Sequence, residues 1–148
     1  MEFRVGELFK VSGTKTTMLD DLNEFGDGKS PYITTQKENN GMAGLFNFST
    51  EKGNCLTIDS ACLGFCAYQE NDFSASDHVE KLTPKFNGFN KFLGLFFSTL
   101  INQENYKYSY GRKYNQERIK DTIINLPTTP QGEPDWERME KYVRRIFG

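Results

Sequence analysis

The chain has 148 residues, with 18 basic and 20 acidic side chains and a formal charge of -2; it is long enough for about one domain with a sizeable core, and no global field announces a nucleic-acid or membrane partner. Hydrophobic residues make up only 36%, yet aromatics reach 14%, with 13 Phe and 7 Tyr, which argues against disorder. The longest apolar stretch, residues 92–101, is too short for a membrane span. The charged opening MEFRVGELFK lacks a signal core, and three cysteines, an odd number, argue against a disulfide framework and for a reducing cytoplasm.

In chain order, residues 2–12 form a short amphipathic opening with Phe3, Val5, Leu8, Phe9 and Val11 as its apolar points. Residues 12–17 make a polar turn without the glycine and lysine spacing of a phosphate loop. Residues 18–31 are acidic, with Gly26-Asp27-Gly28 as a loop signal. A strand is expected over 32–35, a turn over 36–41 with Asn40-Gly41 as a hairpin signal, and a return strand over 42–48. Strands are also expected over 55–58 and 65–68, around Gly64. Cys55, Cys62 and Cys66 lie there at gaps of seven and four, not the paired spacing of a zinc site, and read as small buried thiols. Residues 73–82 read as a loop entering a strand.

The clearest helix spans about 89–104. Phe89, Phe92, Leu93, Phe96, Phe97, Leu100 and Ile101 fall on one face at helical period, and Phe92, Phe96 and Leu100 are expected to be buried. The basic residues 116–120 lead to a strand over 122–126, stopped by Pro127, and a loop over 127–135. Asp135 is placed to cap a last helix near 135–147, with Glu137 in its first turn and Arg144 and Arg145 near its end. In that helix Trp136, Met139, Val143 and Ile146 form a coiled-coil-like seam. The seam is expected to pack on a second copy, a partner subunit or the remainder of a longer chain; packing back onto its own domain is the competing reading.

Chemistry concentrates in residues 105–120. Lys107, Arg112, Lys113, Arg118 and Lys120 stand against Glu117, a local +4 that leaves -6 for the rest of the chain, and Tyr106, Tyr108, Tyr110 and Tyr114 lie among them. Cations neutralise phosphates and phenols pack on sugars or bases, while Gly111 permits close backbone approach. A solvated loop with some tyrosines pinned into the core has the same composition. The polar cluster over 34–40 carries Gln36, Lys37, Asn39 and Asn40, whose amides and amine suit base edges. Ser76, Asp77 and the single histidine, His78, are consecutive and so cannot converge as a triad; a capping or hydrogen-bonding role is expected. The prolines at 31, 84, 127, 130 and 134 leave no Pro-Pro methyltransferase loop, and no Glu is followed two residues later by Lys, as a common metal-dependent nuclease requires. No catalytic set, metal or cofactor is expected.

Taken together, Phe9-Lys-Val-Ser-Gly-Thr-Lys15, Tyr32-Ile-Thr-Thr35, Asn39-Asn-Gly41, Ala75-Ser-Asp-His-Val79, Tyr106-Lys-Tyr-Ser-Tyr-Gly-Arg-Lys113, Ile124-Asn-Leu-Pro127 and Gly132-Glu-Pro-Asp-Trp-Glu-Arg-Met-Glu-Lys-Tyr142 are similar to the target recognition domain of restriction-modification specificity subunits, type I and related fused enzymes. The resemblance implies an α+β fold, a single compact domain with a twisted, mostly antiparallel or mixed sheet over residues 1–130 followed by a C-terminal helical arm over 131–148. It also implies that the domain is non-catalytic and reads one half of a bipartite double-stranded DNA target. Methyltransferase and restriction subunits or domains are its expected partners, and a homodimer is possible because such subunits carry two recognition domains where this length holds one. It also implies DNA contacts at Lys15, Gln36, Lys37, Asn39, Asn40, Lys107, Tyr108, Tyr110, Arg112, Lys113 and Tyr114, and partner contacts at Trp136, Met139, Val143 and Ile146. The competing function is a module that binds methyltransferase or restriction subunits without reading DNA.

Overall fold

A computed structural model describes residues 1–61, 64–107 and 115–147, without the side chains of Tyr106 and Lys107. Its middle layer is an antiparallel sheet of β2 (Phe9–Gly13), β8 (Val79–Pro84), β5 (Cys55–Asp59) and β6 (Cys66–Gln69), in the spatial order β2-β8-β5-β6. Every residue of β5 is buried, as befits a strand covered on both faces. Side chains alternate across a strand. Leu56 and Ile58, with Leu82 of β8, therefore face one core with Phe9, Leu93, Phe97 and Ile101, while Cys55 and Val79 face a second with Ile33, Phe73 and Ala75.

The second core is closed by a smaller mixed sheet. In it β3 (Asp27–Ile33) pairs antiparallel with β4 (Met42–Phe46) and parallel with β7 (Ser74–Ala75). The strand thus begins well before the expected residue 32, inside the segment read as a loop. Its breakers are accommodated. The register shifts between Asp27 and Ser30, and β7 pairs only with Tyr32 and Ile33, so Pro31 lies where β3 has a free edge. The acidic stretch also holds a short helix, α2 (Leu19–Asn23), that buries Leu22. At the start of the chain β1 (Glu2–Arg4) runs into α1 (Val5–Leu8), and β1 pairs with β9 (Ile123–Asn125) to bring residues 2–4 beside residues 123–125. The basic residues 116–120 form α4 (Gln116–Asp121), capped by the Asn115 side chain, which accepts from the Arg118 N–H at 2.9 Å.

The first core is closed by α3 (Lys91–Lys107) and by α5 (Trp136–Phe147) packed on it. Asn90 caps α3 by accepting from the N–H groups of Phe92 and Leu93, and its amide donates to Glu140 of α5 at 3.0 Å. The buried apolar stripe of α3 is Leu93, Phe97 and Ile101, at intervals of four, and Phe89 just before the helix is buried with it. Phe92, Phe96 and Leu100, expected to be buried, are half-buried. They lie one position round the helix, towards α5: Phe96 meets the Tyr142 ring edge-on, and the Arg144 guanidinium sits over the Phe92 ring at 4.1 Å. Among the described residues no helix is long and apolar enough to cross a membrane.

Two measurements follow. Phe97→Ala is expected to cost roughly 3–5 kcal/mol in chemical denaturation, and Phe96→Ala clearly less; equal losses would show that the two stripes are assigned to the wrong faces. The second concerns the thiols. Burial pushes Cys55 up to about 12 and Cys66 higher still, whereas in the unfolded chain both ionise near about 8.5. Their contribution to stability is complete below that value and is lost as pH rises through the folded values. Native protein at neutral pH should leave Cys55 and Cys66 unmodified by iodoacetamide and unfolded protein should not; native labelling at either site would contradict their burial.

Candidate nucleic-acid interface

The turn between β3 and β4 is longer than the two-residue hairpin that Asn40-Gly41 suggests. It begins at the Thr34 N–H, which donates to Gly41 O at 2.9 Å, and it carries three successive residues at positive φ: Asn39 at 54, Asn40 at 60 and Gly41 at 83. Asparagine tolerates this region and glycine adopts it freely. The turn is held by amide side chains. Gln36 Nε2 donates to the carbonyls of Glu38 (3.1 Å) and Met42 (2.8 Å), and Asn40 Nδ2 donates to Tyr68 O at 2.7 Å. In return Gln69 Nε2 donates to Asn40 O (3.0 Å) and to the buried Thr57 hydroxyl (3.1 Å).

Of the four residues expected to read bases here, Gln36 bonds two backbone carbonyls through its amide nitrogen and Asn40 bonds one, while Lys37 and Asn39 are exposed. Asn39 opens onto a cleft of about 390 Å³ shared with Tyr68, Asn71 and Lys91. Lys15 is exposed too. Thr16 bridges Ala75, which pairs with Ile33, so Lys15 lies about two strand spacings, ~10 Å, from β3.

Lys107 closes α3. Its side chain, together with Tyr108, Tyr110, Arg112, Lys113 and Tyr114, lies outside the described residues. The frame on either side of residues 108–114 is described. Asn102 pairs with the edge of β6, its Oδ1 accepting from Cys66 N–H (2.7 Å) and its Nδ2 donating to Cys66 O (2.9 Å). Asn105 Nδ2 donates to Gly64 O, and Gln116 Nε2 donates to Glu80 of β8 at 3.1 Å. The two segments expected to meet DNA are thus tied to one edge strand, the β3–β4 turn at Tyr68 and the C-terminal part of α3 at Cys66, roughly 7 Å apart along the strand.

The seam of α5 is used largely within the domain. Met139 and Val143 are buried, and Trp136 stacks on Phe86 at 4.0 Å, so for these three the competing reading, packing back onto their own domain, is the one observed. Ile146 alone of the four points out, 56% exposed, beside Tyr142 and Phe147. With Leu95, Phe96 and Leu100 these line an apolar groove of about 440 Å³ between α3 and α5. The Arg144 guanidinium bonds Glu140 and holds its carboxyl below the usual range. Sequence reasoning missed Tyr142 and Phe147; both lie off the i, i+3, i+7 seam.

The Methylase_S model, type I restriction modification DNA specificity domain, matches residues 1–147. The specificity subunit of a type II restriction enzyme from Heyndrickxia coagulans is 36% identical over 152 residues, covering 98% of this chain and 42% of that protein. Among solved structures, the S subunit of a type I restriction-modification system from M. genitalium aligns with a TM-score of 0.71 at 16% identity, over 99% of this chain and 39% of that one. The HsdS subunit of Thermoanaerobacter tengcongensis aligns at 0.65 and 12%, over 99% and 37%. The chain therefore spans about two-fifths of the length of the proteins it matches.

The anchoring makes a clear prediction for the turn. Asn40→Ala should cost about 1 kcal/mol or more in urea denaturation, from the lost hydrogen bond together with alanine at positive φ, while Lys37→Ala should stay within about 0.5 kcal/mol of wild type, as surface changes do. The reverse order would show that Asn40 is not the pin.

Proposed function

The chain belongs to the type I restriction modification DNA specificity domain family, and from that premise we propose that it is a non-catalytic module that reads one half of a bipartite double-stranded DNA target. The observation that carries this reading is the family match across residues 1–147, supported by a fold shared with S subunits along 99% of the chain. DNA methyltransferase and restriction subunits, working in the cytoplasm, supply the chemistry that the domain directs. Its DNA contacts are Lys15, Lys37, Asn39, Lys107, Tyr108, Tyr110, Arg112, Lys113 and Tyr114. Gln36 and Asn40 serve as positioning residues, because their amides already hold the β3–β4 turn. Ile146, with Tyr142 and Phe147, offers an exposed apolar end to α5, where a second copy or a partner subunit docks.

The test is selection from randomised duplex DNA with the full-length protein and its methyltransferase partner. Arg112→Ala should relax one base position by about 1–3 kcal/mol, because a guanidinium reads guanine bidentately. Lys113→Ala should weaken binding to every sequence and reduce the slope of log affinity against log salt by about one unit. If wild type selects no sequence, the domain does not read DNA, and the remaining reading is a module that binds the other subunits only.

A further inference from the structure

The chain passes from the smaller sheet to the central sheet in three residues, between Ala75 at the end of β7 and Val79 at the start of β8. The corner is made by His78 at φ 62. The other non-glycine residues at positive φ among those described are Asn39, Asn40 and Asn54. Asn40 and Asn54 use their amides inside the domain, on Tyr68 O and Phe89 O. The His78 ring is turned outward instead, its side chain 61% exposed, with Nε2 3.4 Å from Asp77 Oδ2.

The backbone beneath that ring is gripped on every side. The His78 carbonyl accepts from both the N–H (2.9 Å) and the hydroxyl (3.0 Å) of Ser60. Its own N–H donates to Asp77 Oδ1 at 3.0 Å, and the next carbonyl, that of Val79, accepts from the Thr14 hydroxyl at 2.8 Å. Glycine would take this conformation without strain; histidine tolerates it at a cost. Strained residues fixed by their surroundings concentrate where a side chain is put to use.

The position suits such a use. His78 stands at the end of the central sheet where β2 runs out towards Lys15, and its neighbour Glu80 holds Gln116. An imidazole N–H is a donor, and guanine presents N7 and O6 acceptors in the major groove. The geometry points to His78 as a specificity-determining residue that reads a base edge of the DNA target. This rests on the DNA-reading function proposed above.

The experiment compares wild type, His78→Asn and His78→Gly, each as full-length protein with the methyltransferase partner, by selection from randomised duplex DNA at two salt concentrations and by thermal melting. Wild type should select a sequence. Both variants should lose about 5- to 150-fold of discrimination at one base pair and keep the others, with His78→Gly melting no lower than wild type. An unchanged selected sequence in both variants would overturn the inference and leave the DNA-reading function standing. A uniform loss over all sequences with a shallower salt dependence would also overturn it, by making His78 a phosphate contact. A marked fall in the melting temperature of His78→Gly would make the residue structural. If wild type selects nothing, the DNA-reading function itself fails, and the inference falls with it.

Discussion

Burying a strand on both faces demands two apolar layers and a partner for every backbone group, and β5 is where this chain meets that demand. β8 and β6 pair with it on either side. Leu56 and Ile58 face α3, and Cys55 faces the smaller sheet. The buried hydroxyl of Thr57 is met by Gln69. Everything else is placed relative to this strand. β6, outside it, becomes an edge, and an open edge is a hazard for misassociation. The domain closes it with side chains instead of another strand: Asn102 pairs with both backbone groups of Cys66, and Asn40 takes the carbonyl of Tyr68. The segments that would present the DNA-facing residues are therefore the ones that protect the sheet.

How much of this was legible depended on how local the cause was. The period of α3 is a property of its own residues, and the helix was found to within a turn. Which half of its broad apolar face lies deepest depends on α5, which starts at Trp136, well beyond the end of α3 at Lys107, so the period alone sets Phe92, Phe96 and Leu100 too deep. The Asp135 cap was readable because it bonds the N–H of Arg138, three residues on. The start of β3 was not, because Gly28 and Pro31 are breakers everywhere except in a bulged strand with a free edge. The reversal at Asn40-Gly41 was legible from its conformational demand. That Asn40 would be consumed in holding the turn was not, since its partner lies 28 residues away.

The C-terminal helix shows the same division. A heptad-like stripe records that something apolar will cover it but not what. Trp136 and Met139 found that cover in Phe86 and the first core, and Val143 is buried beside α3. Ile146, the last member of the stripe, stays exposed beside Tyr142 and Phe147.

Six joints of the domain share one chemical habit. Gln36, Asn40, Asn54, Gln69, Asn102 and Asn105 each donate an amide N–H to a main-chain carbonyl. A carbonyl is present whatever side chain its residue carries, so these fastenings do not depend on the identity of Met42, Tyr68, Phe89 or Cys66. Replacing the residues displayed between two such fastenings leaves the fastenings intact. A scaffold of this kind lets its outward-facing vocabulary be rewritten one residue at a time while its grammar is inherited unchanged, and new recognition can arise by drift without first passing through an unfolded intermediate.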